Sequence, residues 1–258
     1  MVEVFSFWYG NPLKDIEILS IKSFQNHGHG FVLYVYDMDM EVPEGVIKKN
    51  ANDIIDHSDI FEYSGSFATF SDLFRYKVLY EYGGLWVDLD MVCIKPLIID
   101  SDFYFASERT IQKGPYRHRT KEEVATNAIL KAPPKSEFYK ELFEKCWNIR
   151  HKIPKLHGRK SKIIFLHYLK LQIEDWGMDN YVSTSFKHCP IDFWNVKEIF
   201  IDTLSFPSKY GTSAYTREEI LNNCVTIHLY RSIIRKRNID INASKVSLFS
   251  WLKNLHGI

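Results

Sequence analysis

The sequence predicts an α/β domain, and three observations lead there. Residues 2–36 read strand, loop, helix, strand, the opening of a sheet built with crossover connections. Apolar segments of strand length then alternate with amphipathic segments of helical length through the rest of the chain. One short apolar segment, Leu85-Trp86-Val87, runs directly into two aspartates, Asp88 and Asp90. Ligands of α/β sheets gather at such places, beyond the carboxyl ends of the strands.

The elements follow in order. Val2–Phe7 is the first strand, with Trp8, Tyr9 and Gly10 at its end and Gly10-Asn11-Pro12 as a loop. Ile16 to Asn26 is helical and closed by Gly28, and Phe31–Tyr36 is a second apolar strand. Asp37-Met38-Asp39 leaves that strand toward Met40, Glu41 and Pro43, a plain exit turn. Thr69 or Ser71 can cap the next helix, and Asp72 suits its first turn. Leu73, Phe74, Tyr76, Val78 and Leu79 supply its apolar surface, and Gly83-Gly84 ends it in a left-handed cap. Phe103–Ser107 is a strand. Lys121–Lys131 and Ser136–Trp147 read as helices separated by Pro133-Pro134. Residues 148–162 form a connector carrying Arg150, Lys152, Lys155, His157, Arg159, Lys160 and Lys162. Ile163–Ile173 is helical, Trp194–Ile201 extended and Val225–Leu229 a late strand. Val246 to Leu255 carries an apolar stripe of Leu248, Trp251, Leu252 and Leu255.

The acid pair carries the chemistry. In extended chain residues i and i+2 share a side, so Asp88 and Asp90 face one site and Leu89 faces the core. Two close carboxylates repel unless a cation sits between them. Oxygen ligands suit Mg²⁺ or Mn²⁺, a cation wanted where a diphosphate must be held and must leave. Trp86 has the parity of the acids, so it can cover a ribose or simply fill the core. Asp72 and Arg75 share a helix face.

With these residues in view, SDLFRY…LYEYGGLWVDLD…KPL resembles the signature of sugar-nucleotide glycosyltransferases with a DXD motif, of the family 32 and capsular-polysaccharide type. It is more distantly similar to the glucosyltransferase domains of large clostridial toxins. The resemblance implies a GT-A-like fold, a mixed central sheet with helices on both faces. It implies that Asp88 and Asp90 hold the metal, Asp90 directly and Asp88 in part through water. It places Asp72 on the donor's ribose or sugar hydroxyls, Arg75 on the hexose or the phosphate charge, and Trp8 with Tyr9 and Gly10 on a uracil or guanine ring. The alternative for Trp8 is a core side chain capping the sheet. For Asp72 and Arg75 it is an exposed ion pair worth about 0.3 kcal/mol. His228, in Val225-Thr226-Ile227-His228-Leu229-Tyr230-Arg231-Ser232, is similar to a late histidine that completes metal coordination beside groups on the diphosphate, here Arg231 and Ser232. A lone histidine on an apolar strand is otherwise structural. Many relatives show Trp in this neighbourhood and this chain has Tyr230. Asn127 matches a place where the family often sets an Asn near the donor sugar, or is a helix-surface or capping residue. Glu108 could touch the acceptor, and Lys95-Pro96 fits the pattern or is solvated.

Composition agrees with one catalytic domain over residues 1–258: 1–110 for nucleotide sugar and metal, 111–258 for the acceptor side and the terminal helix. A chain of 258 residues with 45% hydrophobic content buries a sizeable core. Against 33 basic residues stand 32 acidic, a formal net charge of +1, which gives no reason to expect nucleic acid as a partner. Cys93, Cys146, Cys189 and Cys224 show neither CxxC nor zinc spacing and read as reduced thiols of a cytoplasmic protein. No signal peptide or membrane span is expected. The basic connector, and Arg231, Arg235, Lys236 and Arg237, are solvated loop and helix or a peripheral contact with an anionic membrane surface or glycolipid. The terminal helix is expected to dock on the core. The expected activity is transfer of a hexose from a UDP- or GDP-linked donor to a saccharide or glycolipid hydroxyl, with the retention of configuration that the resemblance implies, in surface polysaccharide or glycan synthesis. The competing classes are a metal-dependent nucleotidyltransferase and a non-catalytic nucleotide- or carbohydrate-binding protein. The first would want a Gly-rich, Lys-bearing phosphate loop near the N-terminus, and the second would be expected to have lost an acid.

Overall fold

The computed structural model describes residues 2–10, 12–63, 65–113, 120–155, 164–207 and 214–258. Asn11 of the first loop, and His157, Arg159, Lys160 and Lys162 of the basic connector, lie outside the described residues. In chain order come β1 (Glu3–Trp8), α1 (Asp15–Asn26), β2 (Gly30–Val35), β3 (Val46–Asn50), α2 (Ala68–Tyr82), β4 (Gly84–Val87), β5 (Met91–Cys93), β6 (Tyr104–Lys113) and β7 (Thr120–Ala132). Then follow α3 (Glu137–Ile149), α4 (Ile164–Asp175), α5 (Ser185–His188), β8 (Ser205–Pro207), β9 (Ala214–Thr216), α6 (Arg217–Asn223), β10 (Thr226–His228), α7 (Arg231–Arg237) and α8 (Leu248–Leu255).

Among the described residues the main sheet runs β3-β2-β1-β4-β7-β6. β1 is parallel to β2 and β4, and β2 to β3, while β7 is antiparallel to both β4 and β6. The sheet is therefore mixed, and helices cover both faces. Alternation along the strands decides which residue meets which layer. Phe7 of β1 and Trp86 of β4 join Phe74 and Tyr76 of α2, Leu142 of α3 and Phe165 of α4 in one core. Val4, Leu85 and Val87 point the other way, to Ile21 and Phe24 of α1. A third core gathers Ile16, Val92, Ile227, Leu248, Phe249 and Leu252, so α8 docks on the body of the protein with only Leu255 of its stripe exposed.

Two elements differ from the sequence reading. Lys121–Lys131 is not a helix but lies within β7, paired on both sides by β4 and β6. Residues 124–130 are buried throughout, so the segment lacks the polar alternation of a half-exposed strand. Trp194–Ile201 is not extended, because Phe193–Ile199 winds as a 3₁₀-helix. The cap of α2 differs too. The helix starts at Ala68 and Phe67 occupies the cap, so Thr69 and Ser71 sit inside the first turn. At its other end Gly83 has φ 64° and ψ −150°, outside the left-handed helical region that was expected. A Cβ there would stand 2.4 Å from the backbone nitrogen of Pro134, which leaves glycine as the residue that fits. The four cysteines are buried free thiols. No described helix is long and apolar enough to cross a membrane.

Candidate functional site

A cleft of about 440 Å³ opens at the carboxyl ends of β1 and β4. Trp8, Tyr9, Gly10, Asp72, Arg75, Asp88, Asp90, His228, Arg231 and Ser232 all line it. Its size suits a small-molecule ligand. Local structure explains how residues so far apart in sequence meet.

β4 ends at Val87, and the chain turns at once, with the Met91 N–H donating to the Asp88 carbonyl at 3.0 Å. The acids therefore do not sit in extended chain, as alternation alone implied. Asp88 keeps the side of Trp86 and faces α2. Its Oδ1 accepts from the Trp86 indole N–H at 2.9 Å and meets the Arg75 guanidinium at 2.8 Å. Leu89 is buried among the α1-side apolar residues, as its place between the acids requires. Asp90 turns to the opposite wall. Its Oδ2 accepts from the Arg231 backbone N–H at 2.8 Å, and its Oδ1 stands 3.3 Å from His228 Nε2.

The second wall comes from a two-stranded ribbon. β5, which follows Asp90 directly, pairs antiparallel with β10, and the register sets His228 opposite Met91. The Leu229 N–H donates to the Asp90 carbonyl at 2.8 Å. Tyr230 then takes a left-handed conformation, φ 53°, its ring stacked 3.9 Å from that of His228, and launches α7 with Arg231 as first residue.

Arg75 is the hub of the other wall. It is only 4% exposed, a depth at which a cation needs partners. It pairs with Asp72 at 3.2 Å as well as with Asp88, and donates to the carbonyls of Asn127 and Ser71 and to the Ser71 hydroxyl. Its guanidinium also lies 5.1 Å from the Trp86 ring. The Asp72–Arg75 pair is thus part of a buried network rather than a solvated surface bridge.

The charges respond to this packing. Burial raises the Asp88 carboxyl above its usual range, with Asp90 adding to the rise and Arg75 opposing it. Burial raises Asp72 to about 6, against the pull of Arg75. Burial also acts on Asp90, but the charge of His228 outweighs it, together with the hydrogen bonds from His228 and Arg231, and holds that carboxyl below its ordinary value. His228 is correspondingly raised by Asp90 in spite of its burial.

The donor set fits a divalent cation held in an open site. Among the described residues no three His, Cys, Asp or Glu side chains stand together as a closed metal centre. Mg²⁺ commonly needs only one or two carboxylates, the remaining ligands being substrate phosphates and water. Among the described residues both hydrogen-bonding partners of the Asp88 carboxylate fall on Oδ1, which leaves Oδ2 for such a role.

Residues 17–113 match the family model described as glycosyltransferase sugar-binding region containing DXD motif. The Asp88-Leu89-Asp90 triplet and the Asp72–Arg75 element fall inside this region, and Trp8, His228 and Arg231 outside it. Comparison with curated proteins yields no match. Among solved structures the chain is similar to one titled PaToxG Glycosyltransferase, at 12% identity over 68% of each chain, with a TM-score of 0.45. Nothing about activity follows from a likeness at that level.

Two expected site residues do not reach the cleft. Trp86 is 1% exposed and lies beneath Arg75, so it cannot cover a ribose; its indole N–H orients Asp88 instead. Asn127 is buried on β7, where it accepts from the Tyr76 hydroxyl and its carbonyl accepts from Arg75. It braces the DXD wall from behind. Glu108 is half-buried and does not line the cleft, and Lys95 donates to the Asn222 carbonyl. The other acid triplet behaves as a turn. Asp37 Oδ1 accepts from the Asp39 N–H at 3.0 Å, and Asp39 does not line the main cleft. Asp37 borders a smaller cleft of about 280 Å³ with Tyr36, Met40 and His57, which shares Trp8, Tyr9 and Gly10 with the first.

Further residues contribute for which no part in the site was expected. Phe67 and Arg235 line the main cleft, and the Arg235 guanidinium donates to the Gly65 carbonyl at 3.1 Å, tying α7 to the loop before α2. Glu17, on α1, forms an ion pair with the Arg231 guanidinium. Glu17 looks in sequence like an ordinary acidic first-turn residue, and no local signal marks it.

Proposed function

We propose that the protein is a metal-dependent glycosyltransferase that moves a hexose from a UDP- or GDP-linked donor to a hydroxyl of a saccharide or glycolipid. The observation that carries this reading is one cleft joining Trp8 at the end of β1 to the Asp88–Asp90 pair at the end of β4, inside and beside the matched sugar-binding region. Trp8 offers a half-buried indole for stacking on the base. Asp72 lines the same cleft, where its carboxylate, already paired with Arg75, can also accept from ribose or hexose hydroxyls. Arg75 holds Asp72 and Asp88 in place and limits their mutual repulsion.

Asp90 and Asp88 would hold Mn²⁺ or Mg²⁺, with His228 beside Asp90, and the cation would supply charge neutralisation for the departing diphosphate. Arg231 and Ser232 extend the cationic, hydrogen-bonding wall along which that diphosphate lies. The chemistry is leaving-group stabilisation by preorganised charge. We further propose that configuration is retained, that residues 1–258 act as one catalytic domain in surface polysaccharide or glycan synthesis, and that the protein works in the cytoplasm, with its basic segments meeting an anionic membrane face.

The test is donor hydrolysis across a panel of nucleotide sugars, with Mn²⁺ and with EDTA, on wild type and Asp90→Asn. Metal-dependent release of UDP or GDP by wild type, abolished in an Asp90→Asn protein of unchanged melting temperature, is expected. Hydrolysis that survives either EDTA or the substitution would refute the reading.

A further inference from the structure

Glu17 is a buried carboxylate, 1% exposed, in the first turn of α1. One oxygen, Oε2, accepts the Lys14 N–H at 2.9 Å, an ordinary helix cap. The other, Oε1, makes no hydrogen bond and faces the Nε side of the Arg231 guanidinium as an ion pair. A cap requires one acceptor oxygen and no second charge partner, so the helix start alone does not account for this contact. A carboxylate at such depth is costly unless a cation meets it.

Arg231 has two further engagements. Its guanidinium carbon lies 4.6 Å from the centre of the Trp8 ring, and its backbone N–H donates to Asp90 Oδ2. One residue therefore ties together α1, the end of β1 and the DXD turn. Its side chain is 40% exposed in the cleft. An arginine so exposed and left unsupported would lose its rotamer freedom only when a ligand arrives, at the expense of affinity. Glu17 and Trp8 fix it beforehand. Because Glu17 meets the Nε edge, the fork of two terminal nitrogens stays available for an anion.

We propose that Glu17 is a positioning residue for the diphosphate part of the site: it holds the Arg231 guanidinium side-on, against Trp8 and next to Asp90, so that the fork is preset for phosphate oxygens. The inference rests on the nucleotide-sugar reading of the cleft.

Glu17→Gln keeps an amide oxygen for the Lys14 cap and removes the charge that orients Arg231. Titration calorimetry with Mn²⁺ present compares UDP and GDP with uridine and guanosine. The variant is expected to bind the preferred diphosphate about tenfold more weakly, a coupling of ordinary size for contacting residues, while the affinity for the matching nucleoside stays within twofold. Arg231→Ala should lose diphosphate affinity to a similar degree, and adding Glu17→Gln to it should cost nothing more. With the preferred donor, KM should rise more than kcat falls. Equal losses for nucleoside and diphosphate, or additive losses in the double variant, would show that Glu17 is structural and overturn the proposal. Should Glu17→Gln fail to fold, Arg231→Lys serves: one ammonium can meet Glu17 or the phosphate but not both, so the same tenfold loss is expected and an unchanged affinity overturns the idea. A wild-type protein that binds neither UDP nor GDP would remove the nucleotide reading and this inference together, whereas wild-type binding with an unaffected Glu17→Gln removes the inference alone.

Discussion

Replacing Arg75 by methionine tests the buried network directly. The substitution keeps an unbranched side chain of similar reach and deletes the charge. Asp72 and Asp88 then lose the one cation among the described residues that touches both, at 3.2 and 2.8 Å. Breaking a buried pair by removing one partner costs about 3–5 kcal/mol. Asp88 is a quarter exposed and can recover some hydration, so the low end applies, about 3 kcal/mol. The carbonyls of Asn127 and Ser71 lose their donor as well. For a chain of this size each kcal/mol moves Tm by about 2–4 °C, so a fall of about 6–12 °C is expected by differential scanning calorimetry. A second measurement isolates the charge. Added Mn²⁺ should raise the Tm of Arg75→Met more than that of wild type, because a divalent cation replaces part of the missing positive charge beside two acids. A Tm within 2 °C of wild type would mean that the guanidinium is not balancing these carboxylates, and the account of the site would fail with it.

Three further outcomes are expected. Asp88→Asn should lower metal-dependent turnover by on the order of 10², the scale for one electrostatic group, while Asp39→Asn, outside the main cleft, stays within a few-fold; comparable losses in parallel assays would place the site elsewhere. Trp8→Ala should weaken nucleotide binding by about 1–3 kcal/mol, the range for lost base stacking, and unchanged UDP and GDP affinities by calorimetry would make Trp8 structural. His188 is fully buried between Tyr104 and Thr226, and burial lowers it from 6.5 to about 3. The unfolded chain takes up a proton that the folded protein refuses, so this contribution to stability is complete above pH 6.5 and is lost as pH falls toward 3. The stability difference between wild type and His188→Gln should therefore shrink toward acid by at most about 1.4 kcal/mol per pH unit, and a difference independent of pH in urea melts would contradict it.

How much of this was legible in the sequence differs from residue to residue. The run from Asp72 to Asp90 is local: one helix, one glycine turn and one strand bring Asp72, Arg75 and the acid pair to one cleft, although the contact of Arg75 with Asp88 was not expected. The opening β-α-β was legible for the same reason. Lys121–Lys131 was not. Its Lys, Glu and Ala residues favour a helix, and its strand state comes from pairing with β4 and β6, a tertiary effect that outweighs propensity. Asn127 was expected near the donor sugar or on a helix surface and is instead buried on β7, because the face that a strand residue presents depends on that pairing. Trp86 had the right parity, yet parity does not tell a cleft from the layer beneath it, which here is filled by Arg75. Glu17 was invisible because its partner, Arg231, lies on an element whose approach no local pattern encodes.

The β5–β10 ribbon decides when the acid pair becomes usable. The Asp90 carboxylate and the Arg231 N–H that supports it are separated by 141 positions. Closing so long a loop is slow compared with forming the contacts around α2 and β4. The Arg75 contact of Asp88 is thus local in the chain, whereas the Asp90 side of the site is completed only by the returning chain. A fragment trimmed to residues 17–113 would carry both aspartates but neither His228 nor Arg231 nor Trp8. The sugar-binding region is thus not a portable cassette: its second acid acquires its neighbours only from outside the segment that defines it.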